Sequence, residues 1–436
     1  MLNKFFKLKE HQTTVKRELV GGMVTFLTMS YILVVNPSIL GETGMDRGAL
    51  FTATALATIV GTLLMAFLAN LPVAQAPGMG LNAFFAYTVV LSMGYSWQFA
   101  LTAVFIEGLA FILLTVLNVR ELIVKSIPPT IKYAIPVGIG LFIAFLGLQQ
   151  AGMVVKNDAT IVGIGDLSAP SVWIAAVGLV LTGVLFARKA PGAILMGILG
   201  ATACGVFFGQ VRLPDASLIA LPPDIRPVFW QLEWGNIFTL DMLIIVFTLL
   251  FVNLFDTIGT LIGVALKAGL VDRDGNFPQI RRALLSDALA TTVGAVLGTS
   301  TLTSYIESAS GVASGGRTGL TAVSVGLMFA VALFFAPLFL MIPAAATAPA
   351  LIIVGLFMIA AVTKIAFDDL TEALPAFLTV VMMPFTASIA QGIVFGMLSF
   401  VALKALSGKH RQISPQMYVI AALLLIKVAL DSLMYG

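Results

Sequence analysis

Cysteine is all but missing. The only one in 436 residues is Cys204, which excludes an intramolecular disulfide and any multi-cysteine zinc site. Histidine is nearly as scarce. His11 and His410 lie near opposite ends in basic, polar stretches, so neither a histidine-based metal centre nor a nucleophile–base pair is expected, and the chain does not read as an enzyme. Charged residues make up 10% of the chain, against about 25% in an average soluble protein. The 24 basic and 21 acidic residues leave a formal net charge of +3, and no stretch gathers a nucleic-acid-binding face. Zinc-protease, Walker A and nucleophile-elbow motifs are absent. Gly78-Met79-Gly80-Leu81-Asn82-Ala83 fits a dinucleotide fingerprint by spelling, but it follows no βαβ pattern. No cofactor and no metal is expected. Residues 1–18 hold no continuous apolar run and do not read as a cleavable signal peptide. Phe5, Phe6 and Leu8 among Lys4, Lys7 and Lys9 predict a short interfacial segment.

What the chain has in excess is apolar surface. AVILMFWYC residues make up 59% of it and the mean hydropathy is +1.04. A soluble protein could not hide that much from water, so the reading is a polytopic membrane protein with the lipid bilayer as its surroundings. Apolar runs fall at 18–40, 48–70, 77–92, 97–118, 131–152, 171–187, 191–209, 240–266, 280–298, 301–314, 318–341, 345–363, 371–387, 389–406 and 415–434. They are continuous rather than alternating, which predicts an all-α bundle and not a barrel. Loop charge places the N-terminus in the cytoplasm of a cell whose inner (plasma) membrane holds the chain. Lys4, Lys7, Lys9, Lys16 and Arg17 fall inside, with Arg120, Lys125, Arg188, Lys189, Lys267, Arg273, Arg281, Arg282, Arg317, Lys404, Lys409 and Arg411. Asp368, Asp369 and Glu372 fall on the same side, against the trend. The proline-rich segment 210–239 divides the chain into two halves of similar hydropathy. Each half has a short, glycine-broken third run, the pattern of an inverted-repeat transporter with its site at the broken helices.

A charge at the bilayer centre costs a few kcal/mol, so an intramembrane acid marks function by default. Four acids lie well inside the runs: Glu107, Asp256, Asp287 and Glu307. Glu107 and Asp287 read as structural, with Ser286, Thr291 and Thr292 near Asp287 to satisfy it. Asp256 lies in NLFDTIGTLIG (253–263), where Gly259 and Gly263 leave a smooth face for a helix or ligand. The competing reading is a packing motif whose carboxyl is satisfied by neighbouring hydroxyls. Glu307 lies in GTSTLTSYIESASGVASGGRTG (298–319), a composition tolerated at membrane depth only inside protein or along a cavity. Thr301 and Thr303 are expected to cap a half-helix there, with Glu307 a turn further on. In PVAQAPGMGLNAFFAYTVV (72–90), Pro77, Gly78 and Gly80 break the chain before Asn82, which offers a donor and an acceptor side by side. An ordinary proline-kinked helix is the competing reading.

Four stretches carry a family resemblance: VTFLTMSYILVVNP (24–37), ANLPVAQAPGMGLNAFFAYTVV (69–90), FVNLFDTIGTLIGVALKAGL (251–270) and TSYIESASGVASGGRTGLTAV (303–323). The chain resembles the AzgA-like purine permeases, allied to the nucleobase–ascorbate transporters, from about residue 5 to the C-terminus. The resemblance implies fourteen helices in two inverted repeats of seven, with broken helices 3 and 10, each preceded by a short strand. It implies a core domain of 1–126 with 240–342, and a gate domain of 127–239 with 343–436. It also implies proton-coupled import of a purine nucleobase, often by a homodimer. The expected substrate-binding residues are Asn82, Asp256, Glu307, Gly80 and Thr303, with Asp256 and Glu307 also coupling the proton. Phe84, Phe85 or Tyr305 would stack on the base. The GLNAFF wording points to hypoxanthine or guanine; an adenine or xanthine preference is the alternative. An anion carrier of the same fold is a further rival, opposed by two acids and no obvious base in the motifs.

Overall fold

Inside a bilayer no water satisfies the backbone, so a chain this apolar must close its own hydrogen bonds as helices. The computed structural model describes residues 2–117, 128–211, 218–235, 237–270 and 277–435. Arg120, Lys125 and Arg273, used above for orientation, lie outside the described residues, as does Pro214. The first half contains α1 (Val15–Gly41), α2 (Arg47–Ala69), α3 (Met79–Ser92), α4 (Trp97–Val116), α5 (Pro129–Gln150), α6 (Pro170–Ala187) and α7 (Ala193–Phe207). The second contains α8 (Leu240–Ala268), α9 (Ile280–Leu297), α10 (Ser308–Ala313), α11 (Gly319–Leu340), α12 (Ala344–Lys364), α13 (Leu370–Phe385) and α14 (Ile389–Leu406). The last run forms one further helix, α15 (Pro415–Tyr435), packed on α14. Nine of the helices among the described residues are long and apolar enough to cross a membrane. Their exposed leucines, valines and phenylalanines, such as Leu113, Val180, Leu327 and Phe395, are what a hydrocarbon solvent accepts.

Helix ends follow local chemistry. Thr14, Asp46, Ser96 and Thr239 each accept the amide three residues ahead, capping α1, α2, α4 and α8. Gly269 and Gly298 end α8 and α9 in the left-handed region that glycine adopts without strain.

Two short strands interrupt the bundle. β1 (Gln75–Pro77) precedes α3, and β4 (Leu302–Ser304) precedes α10. They pair antiparallel with Ala76 opposite Thr303. The amide of Tyr305 donates to Ala74 (2.9 Å) and that of Gly78 to Thr301 (3.0 Å), extending the ladder at both ends. A two-fold axis through the middle of equivalent strands would produce such an antiparallel pair. A separate hairpin, β2 (Val154–Asn157) with β3 (Ile161–Ile164), stands in the loop after α5.

Most helix contacts fall within two sets. α1 lies on α11, α4 on α9, and α2 on both α9 and α11. α5 lies on α12 and α13, α13 on α14, and α6 and α7 on α12. The segment before α8 lies along the first set: Pro223 accepts from Thr52, and Trp230 donates its amide to Val296.

Two of the three acids that ran against the charge trend, Asp369 and Glu372, are paired. Lys404, 1% exposed, lies 2.7 Å from Glu372 and donates to Gln412, while Lys409 lies 2.8 Å from Asp369. The ammonium of Lys409, together with the hydroxyl and amide of Thr371, holds the Asp369 carboxyl well below the usual carboxylate range. These acids follow their lysines, which is why they share a side with them.

Candidate functional site

A strand cannot donate or accept beyond its partner's edge, so β1 and β4 end where their chains turn into half-helices. Glu307 occupies the N-cap position of α10. This differs from the expectation that Thr301 and Thr303 cap it. Both threonines lie in or beside β4, where extended backbone aims them at neighbouring helices instead. Thr301 donates to Glu107 (2.7 Å), and Thr303 lies beside Asp256.

Asp256 stands on α8 facing open space. Its side chain is exposed, and nothing lies within 4 Å of where a Cβ on Gly259 would stand. The neighbours expected to satisfy it face elsewhere. Asn253 donates to Glu107 (2.9 Å), and Thr257 donates to Asp287 (3.0 Å). Glu107 is thus fully occupied by Asn253 and Thr301, in keeping with its structural reading. Asp287 is also structural, but its partners are not the hydroxyls of its own helix. Gln75 (3.0 Å) and Thr257 serve it, while Ser286 turns to Gln75, Thr291 to Leu302 and Thr292 to Ala288.

Glu307 is half-buried, interacts electrostatically with Asp256, and accepts a 2.7 Å hydrogen bond from the phenol of Tyr31. Tyr31 was not anticipated. It stands where α1 is interrupted between Met29 and Ile32. The signal was a Ser-Tyr pair inside an apolar run, with Pro37 beyond it. Tyr305 is buried and donates to the carbonyl of Pro77 (2.6 Å), which ties β4 to β1. Asp256, Glu307, Thr303, Tyr31 and Tyr305 therefore form one cluster, drawn from four elements.

The first-half residues stand behind it. Asn82 is fully buried with its Oδ1 accepting from Ser300, and its Nδ2 has no hydrogen-bond partner. Gly80 sits against α5: a Cβ there would stand 2.6 Å from Ile139 Cγ2. Gly78 faces Thr303 with similar closeness, 2.7 Å. Phe84 and Phe85 are both 1% exposed, packed in the main apolar cluster. Phe255, next to Asp256, is only partly buried, and Lys132 of α5 lies 5.7 Å from its ring centroid.

A sequence model described as the permease family matches residues 16–395. The chain belongs to that family. Among curated relatives, the adenine permease AdeQ of Escherichia coli (strain K12) is 46% identical over 429 residues, covering 98% of this chain and 96% of the relative. The guanine/hypoxanthine permease PbuO of Bacillus subtilis (strain 168) is 45% identical over 429 residues, covering 97% and 99%. Among solved structures, the transmembrane domain of the cyanobacterial bicarbonate transporter BicA superposes with a TM-score of 0.63 at 18% identity, covering 86% of this chain and 97% of that one. At that identity the likeness concerns the fold alone. This permease is a multi-pass membrane protein with the all-α, fourteen-helix, 7+7 inverted-repeat fold, its third and tenth helices broken, organised as core and gate.

Proposed function

We propose that the protein imports purine nucleobases by symport with protons across the cell's inner membrane, with its N-terminus in the cytoplasm and hypoxanthine or guanine as preferred substrate. The observation carrying this is the placing of Asp256 on α8 near Glu307 at the start of α10 beside open space, with Glu307 held by the Tyr31 hydroxyl. A neutral heterocycle presents ring N–H donors to carboxylates and ring acceptors to hydroxyls and half-helix amides. Two carboxylates sharing one space make one of them a proton carrier. A proton moving inward down about 100 mV releases about 2.3 kcal/mol, enough for roughly fifty-fold accumulation.

Asp256, Glu307 and Thr303 are the side chains we assign to the substrate, with Tyr31 positioning Glu307. Gly80 and Asn82 shape the half-helix behind them, and Asn82 would meet substrate only after its neighbours move. Residues 1–126 with 240–342 form the moving core, and 127–239 with 343–436 the gate, with the segment before α8 resting on the core. A homodimer in the membrane belongs to the same reading. The relatives named above divide between adenine and guanine/hypoxanthine at nearly equal identity, so adenine is the second candidate.

The test is hypoxanthine uptake into proteoliposomes with and without an inward proton gradient, competed by guanine, adenine, xanthine and uracil. Gradient-driven accumulation blocked by guanine is expected. Adenine competing best would move the preference, and no uptake of any of these nucleobases by folded, inserted protein would return attention to anions.

A further inference from the structure

A second polar cavity lies away from the Asp256–Glu307 cluster, at the N-terminal end of α1. It has a volume of about 330 Å3 and is lined by His11, Gln12, Arg17, Ser314, Gly315 and Arg317, among others. A liquid water occupies about 30 Å3, so the cavity has room for a phosphate group with its hydration. Two guanidinium groups reach it from segments 300 residues apart in the chain. Among the described residues neither is ion-paired with a carboxylate. Glu18, next to Arg17, is buried and turned inward, where it accepts five hydrogen bonds from the amides and hydroxyls of Arg317, Thr318 and Thr321. Glu10 pairs with Lys7 instead. Arg317 uses one nitrogen, Nη1, on the carbonyls of Val312 and Gly316 at the end of α10, and its other donors remain.

Planar guanidinium forks match phosphate oxygens better than any other side chain does. The surroundings point to the bilayer as the source. Val15, Leu19, Val20 and Met23 make an exposed apolar stripe on α1 that begins at the rim of the cavity. Phe5 and Phe6 of the N-terminal segment meet Phe67 of α2 in an aromatic cluster, with Phe5 59% exposed. Such a foot lies at the level of lipid headgroups. We propose that this cavity binds a phosphate group, supplied by the headgroup of an anionic phospholipid, and thereby ties α1 to the far end of α10. That end is one short helix away from Glu307, so the bound headgroup stiffens the element that carries the acid.

The test uses the full-length protein in nanodiscs of phosphatidylcholine alone or mixed with phosphatidylglycerol, with retained lipid read by native mass spectrometry. Arg317 also holds α10, so Arg17→Gln is the deciding variant. It should weaken phosphatidylglycerol retention about ten- to a hundredfold while leaving phosphatidylcholine unchanged. Lys16→Gln removes the same charge beside the cavity and should change retention little. Equal effects of the two variants, or none, would overturn the site. Inorganic phosphate displacing the lipid from wild type would overturn the headgroup as its source and leave a free-phosphate site.

Discussion

Asp256 and Asp287 stand near one another in space and differ in what surrounds them. Asp287 is ringed by donors from β1 and α8, whereas Asp256 has Thr303, a glycine and open space. A buried acid with several donors is a structural fixture; an exposed one with room beside it is available to a ligand. Asp256→Asn and Glu307→Gln should each abolish concentrative uptake while the protein still inserts and folds. Full accumulation by either variant would remove that residue from the proposed site. Tyr31→Phe deletes a hydrogen bond to a carboxyl and should lower transport about ten- to a hundredfold without loss of thermal stability. An unchanged uptake rate would show that Glu307 needs no such positioning. The intramembrane acids were legible from composition alone, because a charge in a long apolar run is conspicuous. Tyr31 was not, because tyrosine is common in such runs and only the 2.7 Å contact across 276 residues singles it out.

At the scale of elements, the broken helices were readable from glycine and proline. Their meeting through β1 and β4 was implied only by the family resemblance, since three-residue strands have no pattern of their own. Half-helices also need close neighbours, and Gly80 supplies one by letting α3 approach Ile139 on α5. Gly80→Ala should therefore wedge the two helices apart at a cost of about 1–3 kcal/mol and slow transport. Ile139→Ala in the same chain should restore the rate. A Gly80→Ala variant that transports normally would mean that this contact opens during the cycle without consequence. Glu18 shows the other side of element-level design. It faces the start of α11 and accepts the amides of residues 317, 318 and 321, in the region where a helix N-terminus leaves amides short of partners.

At the scale of the whole molecule, each helix set is held together by its own contacts. In the second set, Lys404, Lys409, Asp369 and Glu372 lock α13 to α14. Glu372→Gln leaves Lys404 buried with Asp369 at 3.6 Å and Gln412 as its remaining partners and should cost about 1–3 kcal/mol in thermal unfolding. Because the folded-state carboxyl of Asp369 is held low, its contribution is complete above the ordinary aspartate value of about 3.9 and fades as pH falls below that. Stability from this group should be flat from neutral to about pH 4 and then decline, and Asp369→Asn should lose that portion of the acid limb. An acid limb unchanged in the variant would mean that the pair contributes nothing.

Membrane class, the all-α architecture and the two-half organisation followed from the sequence by itself, because apolar run length and scarce charge act locally and leave a bilayer few alternatives. The positions of the intramembrane acids followed for the same reason. Only the tertiary structure decided which acid is satisfied and which is open, that Thr301 and Thr303 serve other helices rather than cap α10, and that Tyr31 holds Glu307. These depend on which faces meet between residues hundreds of positions apart, and hydrogen bonding across an interface leaves no periodic trace in a chain.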